Sequence, residues 1–594
     1  MANLPMLWQS SSRKEAMDLL QTLWPALDGA GRDLLSAAIT AGPPDELMAG
    51  LEPAELTISR DRRIFDRIAV LGRVQNPPLT PTLKAELLRL RELYPDWRSP
   101  PGEQAHFAIW QESRFGPGTK YGINDLIALD NNGLLDALVH ESEDREGLLD
   151  AWRQLAASDG DRVLLVLEML TSLETHGRSD IWRYGLWGLR DNTKAGSAER
   201  LLALLSNVPD ALFSLPDFSQ PAAEIIQAIS SASDKSDLAD QFWRQFDRTL
   251  AAAGQDPSNK AESGQTDWVG FAINCSMGYL AQGFFAALFG RDLKIGAGIP
   301  SDMINRLDTL MGTSRLEHRP ARVIASARLS YLNAVDPLWV ERVLLPGFSW
   351  KDEEESQALW QGFGWHARLD PELWSAIRSG FLDLFSPQRL ERLGGFRRNL
   401  AQLLMLAGVE FGIEELPRDA VRAAIRAMPE DMRRDAADWI TTYLEQAKGE
   451  AVEATDKDGR QSKVDIVWRT RVEPWLKRVW PSDPALRAPG ISEQLAAAAI
   501  ATEKAFPDAL ALVSTFFARG EGYYVFHQLA SSDHPEQHPR ETMVLIEKLI
   551  DPTSLNWANT DLRAILDRAS EAAPELVDDA AFRQWDQRLK SLGG

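Results

Sequence analysis

The stretch from Glu317 to Phe385 decides the fold, and its first part, Glu317 to Gly347, reads EHRPARVIASARLSYLNAVDPLWVERVLLPG. From Ala321 to Ala334, apolar side chains recur at helical spacing, which predicts an amphipathic helix with a polar opposite face. The apolar face carries Ile324, Ala327 and Tyr331, and the polar face carries Arg322, Ser326 and Asn333. Asp336-Pro337 then suits a helix start, because Asp accepts free backbone N–H groups and Pro has none to satisfy. The stretch therefore predicts a helix, a sharp turn and a second helix.

The same pattern returns in the second part of the stretch. Asp370-Pro371-Glu372-Leu373-Trp374 repeats the acid–proline start, and Ile377, Phe381 and Phe385 follow on one helical face. The other segments show helical spacing more loosely, with proline pairs between many of them. We therefore predict an all-α protein, an extended, solenoid-like array of short helix–turn–helix units in two or three subdomains.

Two polar stretches indicate where this array divides. Residues 253–267 and 448–462 contain too few apolar side chains to offset the entropy cost of ordering, so we place linkers or loops there. The predicted regions are an N-terminal helical region at 1–252, a central Trp-rich helical region at 268–447 and a C-terminal helical domain at 463–594. The last region begins with a short helical segment whose tryptophans we predict to be core residues: Trp468, Trp475 and Trp480.

The composition excludes several classes of protein. Hydrophobic residues make up 44% of the 594 residues, so the chain can bury a sizeable core. The formal charge of −22 disfavours binding to nucleic acid or to an anionic membrane and favours a partner with a basic surface. The single cysteine, Cys275, excludes an intramolecular disulfide framework and a multi-cysteine zinc site. Together with the lack of a secretory signal at residues 1–12, it predicts a cytoplasmic location.

One uncharged segment raises the question of a membrane helix. Trp268 to Gly290 carries no charged residue and is long enough to span a bilayer. Its polar residues Asn274, Ser276 and Gln282 and its acidic neighbours argue against that interpretation. We therefore favour the buried central helix of a large array over a membrane span.

The sequence contains no convincing catalytic constellation. Phe115 to Lys120 resembles a phosphate loop, but it lacks the four-residue gap before Gly-Lys-Ser/Thr, and no strand precedes it. Lys351 to Glu355 contains several acids, which the dipole of a helix favours in its first turn, so we interpret it as a solvated helix start. We predict no enzyme activity and no cofactor, and the alternative is an enzyme whose site is assembled from dispersed residues.

A group of histidines is a candidate metal site. His527, His534 and His538 are of ligand type, and Asp533 lies beside them. Two prolines, Pro535 and Pro539, interrupt any helix that would align them. The pattern therefore favours a solvated loop, and we predict no metal.

The basic residues form two small clusters. Arg469, Arg471, Lys477 and Arg478 lie among tryptophans, a composition also found in nucleic-acid platforms, but the acidic charge of the chain disfavours that function. The other cluster surrounds Gly394-Gly395. We take that cluster and two aromatic residues as candidate partner-binding residues: Arg392, Arg397, Arg398, Trp365 and His366.

Several motifs resemble one family of proteins. The C-terminal part is similar to the end of large bacterial antiphage sirtuin-type NADase proteins, through these segments: Val467-Trp468-Arg469-Thr470-Arg471-Val472-Glu473-Pro474-Trp475, Val479-Trp480-Pro481, Ile491-Ser492 and Ala505-Phe506-Pro507-Asp508-Ala509. Earlier segments share the resemblance more loosely: Thr22-Leu23-Trp24-Pro25, Tyr94-Pro95-Asp96-Trp97, Leu359-Trp360-Gln361 and Leu373-Trp374. In that family, an N-terminal sirtuin-like domain degrades NAD and a long helical region follows it.

The sirtuin-like domain itself is absent from this sequence. Gly296-Ala297-Gly298-Ile299-Pro300 invites comparison with the glycine-rich NAD loop, and His176-Gly177 with the catalytic histidine. The glycine segment follows a helical apolar run instead of a first strand, so we interpret it as a helix-breaking turn.

The resemblance implies a role in phage defence. It predicts a non-catalytic helical scaffold and sensor that binds a sirtuin-like NADase effector, a phage protein or both. The alternative is a general helical-repeat adaptor with no link to defence. Neither hypothesis requires nucleic acid or a membrane as a partner.

Overall fold

The computed structural model describes residues 8, 13–48, 53–74, 76–95, 97, 121–141, 144–173, 179–190, 197–213, 215–234, 238–262, 264, 267–412, 416–448, 462–554 and 560–592. These residues form helices joined by short turns, and none of them belongs to a β-strand. A single parallel bridge links Gly520 and Ile550. The prediction of an all-α array of short helices is therefore confirmed.

The chain forms two compact units, Met1–Gly118 and Thr119–Gly594. In the first unit, the helices are α1 (Arg13–Leu23), α2 (Gly29–Ala41), α3 (Pro53–Leu71) and α4 (Pro81–Leu93). Their apolar faces enclose a small core around Trp24, whose indole N–H donates to the carbonyl of Pro77 at 3.0 Å. Tyr94 stacks on Trp97 with ring centroids 3.8 Å apart, which packs the end of α4.

The second unit contains the remaining helices. Its first part comprises α5 (Ile123–Ala128), α6 (Asn131–His140), α7 (Arg145–Ser158), α8 (Gly160–Thr171), α9 (Ser179–Arg190), α10 (Ser197–Asn207), α11 (Asp210–Phe213), α12 (Pro216–Ala228), α13 (Ala239–Ala253), α14 (Trp268–Ile273), α15 (Ser276–Phe289), α16 (Ser301–Met311), α17 (Arg319–Ser326), α18 (Leu329–Val335) and α19 (Pro337–Val343). Its second part comprises α20 (Glu353–Trp365), α21 (Pro371–Asp383), α22 (Pro387–Arg392), α23 (Arg397–Glu410), α24 (Arg418–Ala427), α25 (Glu430–Lys448), α26 (Lys463–Val467), α27 (Glu473–Val479), α28 (Pro489–Ala501), α29 (Phe506–Val513), α30 (Tyr523–Ala530), α31 (His534–Gln537), α32 (Pro539–Leu549), α33 (Thr560–Ala572) and α34 (Ala580–Ser591).

These helices stack in two rows. One row follows the contacts of α5, α7, α9, α12, α15, α17, α20, α23, α25, α28, α30 and α33 in that order. The other row contains two runs of packed helices: α6, α8, α10 and α13, and then α21, α24, α27, α29, α32 and α34. Each helix thus contacts mainly helices two or three positions away in the chain, which is the packing of a helical-repeat array.

The start signals read from the sequence work as expected. The Asp336 carboxylate accepts from the Trp339 N–H at 3.0 Å, and the Asp370 carboxylate accepts from the Leu373 N–H at 2.8 Å. Proline occupies the first position of both helices. Both caps satisfy backbone donors that an unprotected helix start would leave without partners.

The predicted helix at Ala321–Ala334 is in fact two helices, α17 and α18. The break lies at Arg328, whose N–H donates to the carbonyl of Ala325 at 2.9 Å. The carbonyl of Ile324, which would accept that N–H in a continuous helix, accepts from the Arg328 side chain at 2.9 Å instead. The assignment of Arg322 and Ser326 to a solvated face is also wrong, because both side chains are buried.

The uncharged segment Trp268–Gly290 also divides into two helices, α14 and α15. Most of its apolar side chains lie in the core, so the prediction of a buried segment is confirmed. Gly278 allows the close contact at the turn, since a methyl group on it would lie 1.6 Å from the carbonyl oxygen of Ala272. No helix within the described ranges is both long and apolar enough to cross a membrane.

The segment Lys463–Val479 is helical throughout, but its middle is widened. A π-helical turn, Trp468–Val472, connects α26 to α27. Pro474 follows this turn, and a proline ring in an α-helix clashes with the carbonyl four residues earlier, so the local widening avoids that clash. The tryptophans predicted for the core, Trp468, Trp475 and Trp480, are all buried.

The predicted three-region division does not coincide with the two compact units. The predicted linker at 253–267 includes Asn259, whose fully buried side chain donates to the carbonyl of Ala253 and accepts from the Met277 N–H. Most of the predicted linker at 448–462 lies outside the described residues. The three-region division stays a prediction.

A recurrent arginine connects neighbouring helical pairs. Arg248 donates to the carbonyl of Leu205 at 2.8 Å, to the carbonyl of Val208 and to the Asp210 carboxylate at 2.6 Å. Arg568 makes the same set of contacts with Ala530, Ser532 and Glu536. Arg162 donates likewise to the carbonyls of Ile127 and Leu129, but its third acceptor is the side-chain amide oxygen of Asn131. Each guanidinium thus lies at the carbonyl end of an earlier helix, where the helix dipole favours a cation. It also contacts a side chain at the start of the next helix.

We expect Arg248→Met to destabilise the second unit by about 1–3 kcal/mol, because two carbonyls and a carboxylate lose a charged donor. Urea denaturation of the full chain should show an earlier transition. Arg244→Met is the matched control, since Arg244 is exposed on the same helix and donates to the carbonyl of Asp240 in the turn before it. Equal destabilisation by both variants would contradict this role for Arg248.

Candidate functional site

A groove of about 950 Å³ opens between consecutive helices of the second unit. It lies along α18, the end of α20, α23 and α25, and Phe289 at the end of α15 also contributes to it. Its polar and aromatic lining consists of Arg328, Ser330, Tyr331, Trp365, His366, Arg368, Asn399, Gln402 and Trp439. We call it the Arg328 groove. Its lining contains two arginines and no carboxylate.

Arg328 lies at the turn between α17 and α18, where its side chain is largely covered. One terminal nitrogen donates to the carbonyl of Ile324, and the Nε atom is buried without a hydrogen-bond partner among the described residues. The guanidinium lies over the rings of Phe285 and Phe289, at 5.4 and 5.9 Å from their centroids. No carboxylate of the described residues pairs with it. Because burial disfavours the charged form, the pKa of Arg328 is lowered from its usual value.

Aromatic rings form the walls of the groove. Trp365 and His366 stack with centroids 4.4 Å apart, and both are at least partly exposed. Trp439, on α25, stacks on Tyr443 at 5.0 Å and is also partly exposed. Half-exposed aromatic rings of this kind offer a ligand a large apolar contact surface at little cost in side-chain entropy.

The lining of the groove holds two arginines and a histidine in an acidic protein. Burial is the first cause that lowers the pKa of His366, and the charges of Arg328 and Arg368 lower it further. Burial raises the pKa of Tyr331, as does the charge of Asp292, and the Tyr331 hydroxyl is buried without a partner among the described residues. The site therefore combines two cations with polar groups that are not fully hydrogen-bonded, next to open space.

The structure brings together only part of the predicted partner-binding set. Trp365 and His366 line the groove. Arg397 instead pairs with Asp431, and Arg398 pairs with Asp438, both at 3.4 Å. Arg392 ends α22 with an exposed side chain, and its carbonyl accepts from the Gln361 side chain at 2.6 Å. None of the three arginines lines the groove.

The residues that sequence reasoning missed are Arg328, Tyr331, Arg368 and Trp439. Arg328 and Tyr331 were hidden by the assumption of one continuous helix, in which Tyr331 belonged to the core face. Trp439 lies on α25, more than seventy residues after Trp365 in the sequence. Only the stacking of the repeats brings the two residues to one groove.

The histidine group occupies a packed position. The His534 Nε2 atom lies 2.9 Å from the carbonyl oxygen of Ile500, and its ring stacks on Phe506 at 4.1 Å. The prediction of a solvated loop is therefore wrong for His534, which is buried at the start of α31. Across the described ranges, no three His, Cys, Asp or Glu side chains are grouped so that they could hold a metal ion.

The acidic segment before α20 is only partly solvated. Asp352 caps the helix as expected, accepting from the N–H groups of Glu354 and Glu355 at 3.1 Å. The Glu355 carboxylate, in contrast, lies between two buried arginines, at 2.6 Å from Arg322 and 2.7 Å from Arg319. Burial would raise the pKa of Glu355, but these hydrogen bonds and charges lower it overall. The sequence prediction missed this cluster because its members are separated by one repeat.

The remaining motifs do not add to the site. Gly296 and Gly298 have positive φ angles, and their N–H groups donate to the carbonyls of Ala334 and Val335 at 2.8 and 2.9 Å. This segment is therefore the predicted turn, packed on the end of α18. The phosphate-loop-like segment Phe115–Lys120 and His176-Gly177 lie outside the described residues.

Comparisons with known proteins leave the family open. No protein-family model matches the chain, and no curated protein matches it. One solved structure, a circular tandem repeat protein with a novel repeat topology and enhanced subunit contact surfaces, is similar over 99% of this chain and 96% of its own, at 11% identity. Its TM-score of 0.12 is too low to support any argument. The resemblance to antiphage sirtuin-type proteins stays a prediction.

Proposed function

We propose that this chain is a non-catalytic helical-repeat scaffold that binds protein partners, with the Arg328 groove as a binding surface. The observation that carries the proposal is the groove itself, where Arg328, which pairs with no carboxylate of the described ranges, lies beside partly exposed tryptophans. In repeat arrays, surface side chains can vary without disturbing a core that each helix shares only with its neighbours. Such surfaces are suited to recognition.

The biological setting of the proposal rests on the sequence resemblance. In that setting, the chain acts as the sensor of a bacterial antiphage system in the cytoplasm, and its partners are a sirtuin-like NADase and a phage protein. To switch the chain between two arrangements of the array, a trigger must bind one of them more tightly than the other. A tenfold ratio of the two affinities corresponds to about 1.4 kcal/mol. The alternative is an adaptor unrelated to defence, which would lack an effector gene beside its own.

The test is to express the chain with and without the neighbouring effector gene, challenge the cells with phage and follow intracellular NAD. We expect NAD loss only when both proteins are present, and we expect Trp365→Ala combined with Trp439→Ala to abolish it. Tyr523→Ala is the matched control, since Tyr523 is an aromatic residue that is 63% exposed outside the groove. NAD depletion by the chain alone, or unchanged protection after its deletion, would refute the proposal.

A further inference from the structure

We infer that the Arg328 groove binds an extended acidic peptide segment of the partner protein. This inference deepens the proposed function and rests on it. The chain carries a formal charge of −22, so its general field favours basic partners. The lining of the groove differs from that field, because it contains Arg328 and Arg368 and no carboxylate.

The state of Arg328 points to an incoming carboxylate. A largely buried guanidinium normally has an acidic partner, because an unpaired buried charge is costly. Glu355 supplies that partner to Arg319 and Arg322 within the same part of the fold. Arg328 lacks one among the described residues, although it borders open space. A carboxylate that enters the groove can form charge-assisted hydrogen bonds with it and offset part of its desolvation.

The length of the groove favours a peptide over a small anion. The lining runs from the end of α17 across α20 and α23 to α25, which are consecutive helices in one row. With neighbouring helix axes about 8–10 Å apart, three steps cover about 24–30 Å. An extended chain covers about 3.3 Å per residue, so about seven to nine residues span that distance. A small anion would occupy only the end near Arg328.

The order of side chains along the groove predicts which peptide residues bind at each end. Arg328 and Arg368 at one end suit Asp or Glu. Asn399 and Gln402, in the middle, can both donate to and accept from a peptide backbone. Trp439, at the other end, suits an apolar or aromatic side chain. Alternate residues of an extended peptide face the same side. The acidic residues at one end and the apolar residue at the other are therefore expected at positions separated by an even number of residues.

The experiment is selection of a displayed library of random nonapeptides on the full-length chain. We expect enrichment of Asp and Glu over the unselected library, together with apolar residues. The dissociation constants of enriched peptides should rise at least about tenfold in Arg328→Gln and in Arg368→Gln, since each removes a charged hydrogen-bond donor. Arg342→Gln, an exposed arginine outside the groove, is the matched control and should leave binding unchanged.

Arg368 is exposed, so its variant reports on binding even if Arg328→Gln does not fold. Enrichment of Lys and Arg, or no enrichment, would overturn the inference. So would acidic peptides whose binding is insensitive to Arg368→Gln. Complete displacement of the peptides by a small anion such as adenosine monophosphate would also overturn it, because it would show that the groove takes a small anion and not a peptide. If selected peptides without acidic residues still lose binding in Trp365→Ala, the charge inference fails while the groove remains the protein-binding surface of the proposed function.

Discussion

Replacing Trp475 with alanine is expected to lower the free energy of unfolding of the second unit by about 3–5 kcal/mol. The Trp475 indole is fully buried on α27 and packs directly on Gly408 of α23. A methyl group on Gly408 would lie 2.3 Å from the indole ring, so the ring fills the space that the glycine leaves. Truncation to alanine opens a cavity that the surrounding helices can close only in part.

Two further variants separate packing from hydrogen bonding. The Trp475 indole N–H is buried without an acceptor among the described residues, so Trp475→Phe removes no hydrogen bond and should cost far less than alanine. Gly408→Ala should cost about 1–3 kcal/mol, because the added methyl group overpacks the same contact. Combined with Trp475→Ala, its effect should be less than additive, since both changes act on one contact.

The measurement is urea denaturation of the full chain, followed by circular dichroism. Lys477→Ala serves as the control, because Lys477 lies on the same helix with a side chain that is 60% exposed. It should change the stability by less than about 0.5 kcal/mol. Equal transition midpoints for Trp475→Ala and the parent would show that the indole does not support the core.

The sequence predicts the features of this fold that depend on local chemistry. Asp336 and Asp370 cap helices within three residues of themselves, so the cap and the following proline are visible in a short stretch. Helical spacing of apolar residues is local as well, and it placed Ile377, Phe381 and Trp475 on apolar faces, all of which are buried. None of these predictions required knowledge of which helices pack together.

The features that sequence reasoning missed depend on contacts between repeats. Glu355 was assigned to a solvated helix start because its partners, Arg319 and Arg322, lie more than thirty residues earlier. An ion pair between residues this far apart in the sequence cannot be predicted until the length of the repeat is known. The break at Arg328 was missed for a different, local reason, because the Arg328 side chain takes the carbonyl of Ile324 that would continue the helix.

The candidate site was predicted in part for the same reason. Trp365 and His366 were among the predicted partner-binding residues, and both line the groove. Arg397 and Arg398 were selected from a local basic cluster, but acids one repeat later neutralise them. Local composition therefore indicated a cationic surface where the fold forms ion pairs, and missed the unpaired Arg328.

The buried cluster of Arg319, Arg322 and Glu355 leads to the second large effect. Glu355→Gln is expected to destabilise the second unit by about 3–5 kcal/mol, because it leaves the buried Arg322 guanidinium without its carboxylate and leaves Arg319 with Glu354 alone. Both arginine side chains are only 5% exposed, so water cannot replace the lost partner. Glu354→Gln is the control. Glu354 contacts Arg319 from a side chain that is 45% exposed, and removing its charge should cost less than about 1 kcal/mol.

The effect should also depend on pH. The pKa of Glu355 in the folded chain is lowered below its usual value of 4.5. Its carboxylate therefore stabilises the fold fully above that value, and this contribution is lost as the pH falls through the lower pKa of the folded state. The difference in stability between the parent and Glu355→Gln should be largest near neutral pH and shrink at acidic pH below 4.5. A difference that stays constant across this range would show that Glu355 supports the array through its shape and not through its charge.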